Sequence, residues 1–100
     1  DGSRSPFDQL AEICDAVGDK VDVICEGGIQ RGTHVLKALS VGAKACSGGR
    51  LYLYALGAAG QRGVERALEK IHVEIERDMK LMGIKNLAEL SRKNLRWRTP

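Results

Sequence analysis

Glu26-Gly27-Gly28-Ile29-Gln30-Arg31-Gly32-Thr33 follows the apolar run Val21-Asp22-Val23-Ile24-Cys25 and leads into the periodic run Val35-Leu36-Lys37-Ala38-Leu39. A strand ends, the backbone turns on glycines, and a helix begins. Glycines let bare N–H groups approach a ligand closely, and the first N–H groups of a helix lie unpartnered at the positive end of its dipole. Together they make an anion site, most often for phosphate. One helix later Ser47-Gly48-Gly49-Arg50 repeats the arrangement, after a short apolar run and before a second helical pattern. Either turn alone reads equally well as an ordinary βα connection. The pairing, with the added cation Arg50, favours one shared phosphate site.

Outward from the two turns, Ser5-Pro6-Phe7-Asp8 has the residues of a helix start: a capping hydroxyl, a proline suited to the first turn and an acid at the capping-box position. Phe7, Leu10, Ile13, Cys14 and Val17 keep the helical period, and Gly18 is placed to stop it. Val21 to Cys25 predicts a short β-branched strand, with Asp22 near its exposed end. Thr33 is the expected N-cap of a helix over about His34 to Val41 with an inner stripe of Val35, Leu36 and Leu39, closed by Gly42. Ala43 to Ser47 predicts the next strand. Leu51-Tyr52-Leu53-Tyr54-Ala55-Leu56, bounded by Gly57 and Gly60, is apolar on nearly every side and reads as a buried short helix or a strand continuation, the helix being favoured. From Gly63, Val64, Leu68, Ile71, Ile75, Met79 and Met82 recur at steps of three and four, predicting an amphipathic helix of roughly twenty residues that ends at Gly83. A last short helix is expected over Asn86 to Leu90, capped by Asn86. The two methionines sit at core spacing and are read as core.

This order of elements is α/β, with crossovers long enough for parallel pairing. Two strands cannot close a sheet, so the chain is expected either to dock onto further βα units or to be a piece of a larger protein. One hundred residues make one small domain at most. Sixteen basic and thirteen acidic residues leave a charge of +3, too weak and too mixed to argue for nucleic acid. The basic run Arg92 to Arg98 is read as a solvated terminal segment rather than a phosphate-contacting tail. Cys14, Cys25 and Cys46 are odd in number, form no CxxC pair and sit among apolar neighbours, which suits a reducing compartment. No run approaches the ~20 apolar residues of a membrane span, and Asp1-Gly2-Ser3-Arg4 lacks a signal-peptide core. A cytoplasmic location is expected, although Asp1 need not be a natural start. No metal-ligand set is read.

The pattern Gly27-Gly28-Ile29-x-Arg31-Gly32-Thr33-x-Val35-Leu36-Lys37-Ala38-Leu39, then Gly42-Ala43-Lys44-Ala45, Gly49-Arg50, Leu53-Tyr54-Ala55 and Gly63-Val64, closely resembles the C-terminal part of the FMN-dependent α-hydroxy-acid oxidases and dehydrogenases. That family includes glycolate oxidases, lactate oxidases and dehydrogenases, and mandelate dehydrogenases. The resemblance runs from Pro6 to about Leu95. It implies the C-terminal βα units of a (β/α)8 TIM barrel, incomplete in this chain, with residues 1–100 holding strands seven and eight. It also implies FMN as cofactor, its phosphate at the ends of those strands, where such barrels commonly bind phosphate. Carried over, the cofactor-binding residues are Glu26, Gly27, Gly28, Ile29, Gln30, Gly49 and Arg50. Gly27, Gly28 and Gly49 would offer N–H groups, and Arg50 a charged fork.

Three positions depart from the family pattern Asp-Gly-Gly-Ile/Val-Arg-Arg-Gly. Glu26 replaces an aspartate, Gln30 replaces the first arginine, and His34 stands where an aspartate is usual. A charge-assisted hydrogen bond is worth about 1.5–3 kcal/mol and a neutral one about 0.5–1.5, so Gln30 should weaken FMN retention. The family handles the substrate carboxylate and α-proton through a motif reading roughly Ser-Asn-His-Gly-Gly-Arg-Gln-Leu-Asp, whose last residue Asp1 resembles. No catalytic residue is therefore expected within this chain; His34 and His72 read as structural or solvated. The implied activity of the complete barrel is oxidation of a small 2-hydroxy acid to a 2-oxo acid. The alternative is a non-catalytic βα fragment that binds phosphate-bearing ligands weakly or serves in assembly. Expected partners are the remainder of the barrel, in the same polypeptide or a companion chain, the hydroxy-acid substrate and, as a homo-oligomer, further copies. The isolated chain, with open strand edges, is expected to self-associate, to be molten or to require the remaining barrel chain.

Overall fold

The computed structural model describes residues 2–98. Asp1, which the resemblance sets at the end of the catalytic motif, lies outside them. The elements run α1 (Pro6–Val17), β1 (Ile24–Glu26), α2 (Gly32–Val41), β2 (Ala45–Ser47) and α3 (Gly49–Met82), then two 3₁₀ turns at Leu87–Glu89 and Arg92–Asn94. The two strands pair in parallel, with Cys25 opposite Cys46. Thus the neighbourhood is that of adjacent βα units, as the crossover lengths require.

Each strand has only three residues where five were expected. Val21 and Asp22 are exposed and precede β1. Lys44 still donates its N–H to Val23 O, at 2.8 Å, so pairing frays gradually rather than stopping at the strand boundary. Cys25 points into the core while Ile24 remains 63% exposed. One face of the sheet is thus covered by helices. Tyr52, Leu53, Tyr54 and Leu56 on the first part of α3 are also exposed, so apolar surface is left open among the described residues.

The covered side is built around Leu10 of α1, Cys25, Ile29 of the first glycine turn, Ala38 and Val41 of α2, and Ala43. α1 starts as expected: Ser5 Oγ accepts the Asp8 N–H at 3.1 Å, and Pro6 occupies the first turn. Gly18 does not stop it through a left-handed conformation, since its φ is −64°. Gly83 does end α3 that way, at φ +73°.

α3 is two helical stretches, broken where Ala59 and Gly60 leave helical φ/ψ. Gly60, at φ +58°, makes the bend possible. The amphipathic stretch therefore starts before Gly63. Leu68, expected inside, is 58% exposed, as in part is Met82.

Thr33 is not the N-cap of α2. The cap residue is Arg31, which supplies no side-chain hydrogen bond, and Thr33 Oγ1 instead donates to Asp78 Oδ2 at 2.6 Å. Arg31 Nε donates to Glu74 Oε2 at 2.7 Å. Two carboxylates from α3 thus close the start of α2. The hydrogen bond from Arg31 holds Glu74 below its ordinary 4.5, and that from Thr33 holds Asp78 below its ordinary 3.8. A depressed folded-state pKa contributes stability that is present above the unfolded value and lost as pH falls through the folded one. The α2–α3 contact should accordingly be intact above about pH 5 and loosen only below the ordinary values. Urea midpoints from about pH 6 down to 2 should show this loss, and Asp78→Asn should flatten its share of it.

Nor is the basic tail merely solvated. Arg92 Nε donates to Val41 O, the last carbonyl of α2, at 3.0 Å; its Nη2 donates to Asp15 Oδ1 at 2.8 Å and to Ala11 O at 3.4 Å. A cation at a helix C-terminus satisfies an orphan carbonyl and complements the dipole. Leu95 packs on the core and the Trp97 ring lies 6.0 Å from that of Phe7. Arg92→Ala should lower stability by about 1–2 kcal/mol, discounted for the half-exposed guanidinium. Arg92→Lys should recover little, because an ammonium cannot reach three acceptors with a rigid fork. Chemical denaturation of both variants checks this.

Candidate cofactor-binding site

Glu26, Gly27, Gly28, Ile29, Gln30, Gly49 and Arg50, together with Ser47 and Leu51, line one pocket of about 330 Å³ at the ends of β1 and β2. All seven residues singled out from the sequence meet there. Ser47 opens the second turn and Leu51 directly follows it, but neither was among the residues singled out.

Parallel pairing produces this convergence. It puts Glu26 beside Ser47 at the same end of the sheet, so both following turns open on one side. Gly27 and Gly28 take φ of +112° and +73°, which side-chain-bearing residues rarely adopt. A Cβ on Gly27 would also lie 2.6 Å from Pro6 Cγ, whereas one on Gly28 would meet nothing within 4 Å. The first glycine is hemmed in by α1; the second leaves an open approach to the backbone. Ile29, only 8% exposed, anchors the turn in the core.

α3 begins without a side-chain cap, and its first helical acceptor, Gly48 O, takes the Tyr52 N–H at 3.2 Å. The N–H groups of Gly49, Arg50 and Leu51 therefore precede the helical ladder and present the positive end of the dipole to the pocket. The start of α2 differs, being closed by Glu74 and Asp78. Arg31 belongs to that closure. Among the described residues Arg50 has no ion-pair partner. It is the cation of the pocket, balanced by Glu26, whose Oε1 would come within 3.1 Å of a Cβ on Gly49. Glutamate's extra methylene thus carries the carboxylate to the start of α3.

These residues fit a phosphate: open backbone donors, a helix N-terminus, a guanidinium and a glycine-lined approach. Redox or nucleophilic work by the cysteines is a poor fit. Burial raises all three thiols above their ordinary value, Cys46 to about 11 with the Cys25 thiol adding to the effect, so they are not thiolates at neutral pH. A larger groove of about 630 Å³ lies between the start of α1, α2, the end of α3 and the tail, lined by Phe7, Leu36, Leu81, Leu95 and Trp97 among others. It contains none of the seven residues singled out for the cofactor. His72 lines neither cavity.

The chain belongs to the FMN-dependent dehydrogenase family, whose model matches residues 1–97. It is 45% identical over 95 residues to the L-lactate dehydrogenase (cytochrome) of Saccharomyces cerevisiae, covering 90% of this chain and 16% of that protein. With glycolate oxidase 3 of Arabidopsis thaliana the identity is 40% over 93 residues, 91% of this chain and 25% of the relative. Among solved structures, the recombinant flavin-binding domain of baker's yeast flavocytochrome b2 superposes with a TM-score of 0.85 at 45% identity, over 93% of this chain and 25% of that one. The fold is accordingly an incomplete set of βα units from a TIM barrel, and the family's cofactor is FMN. The chain spans only a sixth to a quarter of the length of these relatives.

Proposed function

We propose that these residues form the C-terminal, FMN-phosphate-binding portion of a flavin-dependent oxidoreductase that oxidises a 2-hydroxy acid, of lactate, glycolate or mandelate type, to the 2-oxo acid. The observation that carries this reading is the meeting of both glycine turns in one pocket with Arg50, which makes no ion pair among the described residues. Bound FMN supplies the acceptor for the hydride equivalent. The residues here bind and orient: Gly27, Gly28 and Gly49 give backbone access, the start of α3 and Arg50 supply positive charge, and Gln30 adds a neutral donor.

The groups that handle the substrate carboxylate and α-proton would come from the remainder of the barrel, against which the open apolar surface of this chain would pack. The complete protein is read as a cytoplasmic homo-oligomer, the location resting on its free thiols. Anaerobic mixing of the complete, FMN-loaded protein with lactate, glycolate and mandelate tests the reaction. At least one should bleach the oxidised flavin. If none did while dithionite bleached it fully, the 2-hydroxy-acid assignment would be wrong.

A further inference from the structure

His34 occupies the third residue of α2, counting from the cap Arg31, and its Nδ1 accepts the backbone N–H of Gln30 at 3.1 Å. In a capping box an acid or amide at this position reaches back to the cap residue's own N–H. Here an imidazole does the reaching, and it takes the N–H one residue earlier, inside the glycine turn. His34 itself is half-buried and lies outside the pocket lining, whereas Ile29 and Gln30, which share the peptide it holds, line the pocket.

Gly27 and Gly28 make the preceding backbone the most permissive in the turn. Ile29 anchors the turn through its buried side chain, but a single side chain does not fix the rotation of the following peptide plane. The hydrogen bond to Nδ1 does. It also commits the Gln30 N–H to α2, so that Gln30 can serve the pocket only through its side-chain amide.

We propose that His34 is a positioning residue for the cofactor phosphate, acting through the Gln30 peptide without touching the cofactor. This rests on the reading of the pocket as the FMN-phosphate site. A donor N–H must face a lone pair, so Nδ1 carries no proton and the ring proton sits on Nε2.

The complete apoprotein titrated separately with FMN and with riboflavin, which lacks the phosphate, tests the assignment. The riboflavin dissociation constant divided by that of FMN isolates phosphate recognition, and general loosening of the fold would weaken both ligands alike. His34→Phe keeps a planar ring but removes the acceptor, and should lower the ratio by about 3- to 10-fold, the effect of one neutral hydrogen bond. His34→Asn restores an acceptor and should return the ratio to within about twofold of the wild type. An unchanged ratio in His34→Phe, or an equal loss in both variants, would overturn the proposal. If the variants fail to fold, a long-range proton–nitrogen spectrum of the wild-type imidazole decides: the Nε2–H tautomer supports it and the Nδ1–H tautomer refutes it. Arg50→Ala separates the two levels of the argument. If that change leaves the ratio untouched, the pocket is not the phosphate site; if it lowers the ratio while His34→Phe does not, only the role of His34 fails.

Discussion

Replacing Arg50 by alanine should raise the FMN dissociation constant of the complete protein by about 10- to 100-fold, the effect of losing a charge-assisted hydrogen bond of roughly 1.5–3 kcal/mol. The size of the effect follows from what else the pocket holds. Gln30 offers only a neutral donor, Arg31 is occupied by Glu74 at 2.7 Å, and Glu26 contributes a negative charge. No second cation among the lining residues can take over. Because Arg50 makes no ion pair among the described residues, its removal orphans no carboxylate, and the melting behaviour of the apoprotein should hardly change. Flavin fluorescence on dilution measures release directly. An unchanged dissociation constant would remove Arg50 from the site.

Gly32→Ala should destabilise the protein by about 3 kcal/mol, at the upper end of the range for overpacking a filled site. The added Cβ would lie 2.6 Å from Glu74 Cβ, 2.7 Å from Ile75 N and 2.9 Å from Ile71 O. Two of these are backbone atoms of α3 and cannot rotate away, so the helices must separate. Separation would also stretch the Arg31–Glu74 and Thr33–Asp78 contacts that close α2. Helix propensity favours alanine over glycine by only about 1 kcal/mol and cannot compensate. Gly57→Ala is the matching control, since a Cβ there meets nothing within 4 Å and should be neutral or mildly stabilising. Urea midpoints of the two variants should move in opposite directions or differ widely; similar midpoints would show that α2 and α3 do not pack so closely.

Much of the candidate pocket could be read from local pattern. Glycines after an apolar run, a cation directly after the second pair, and helical periodicity beyond each turn all act within a few residues. For the same reason Ser5 and Pro6 mark the start of α1, and Gly83 marks the end of α3. Periodicity also showed which way most of the long helix faces, but not where it begins, because the break at Ala59 and Gly60 depends on the φ that one glycine adopts in its surroundings.

What local pattern could not supply were partners distant in the chain. Thr33 has the chemistry of an N-cap, yet Asp78, 45 residues later, takes its hydroxyl; Arg92 looks like part of a solvated tail, yet it reaches Val41, 51 residues earlier. His34 shows the intermediate case, being four residues from Gln30, close enough to find but legible only once the backbone direction at Gln30 is known. The order of elements, the two anion-friendly turns and the family likeness were legible in the residues, because these rest on spacing and on the intrinsic freedom of glycine. Which helix start stays open to a ligand was settled by packing: α3 docks two carboxylates on the first turn of α2 and leaves its own first turn without a side-chain cap.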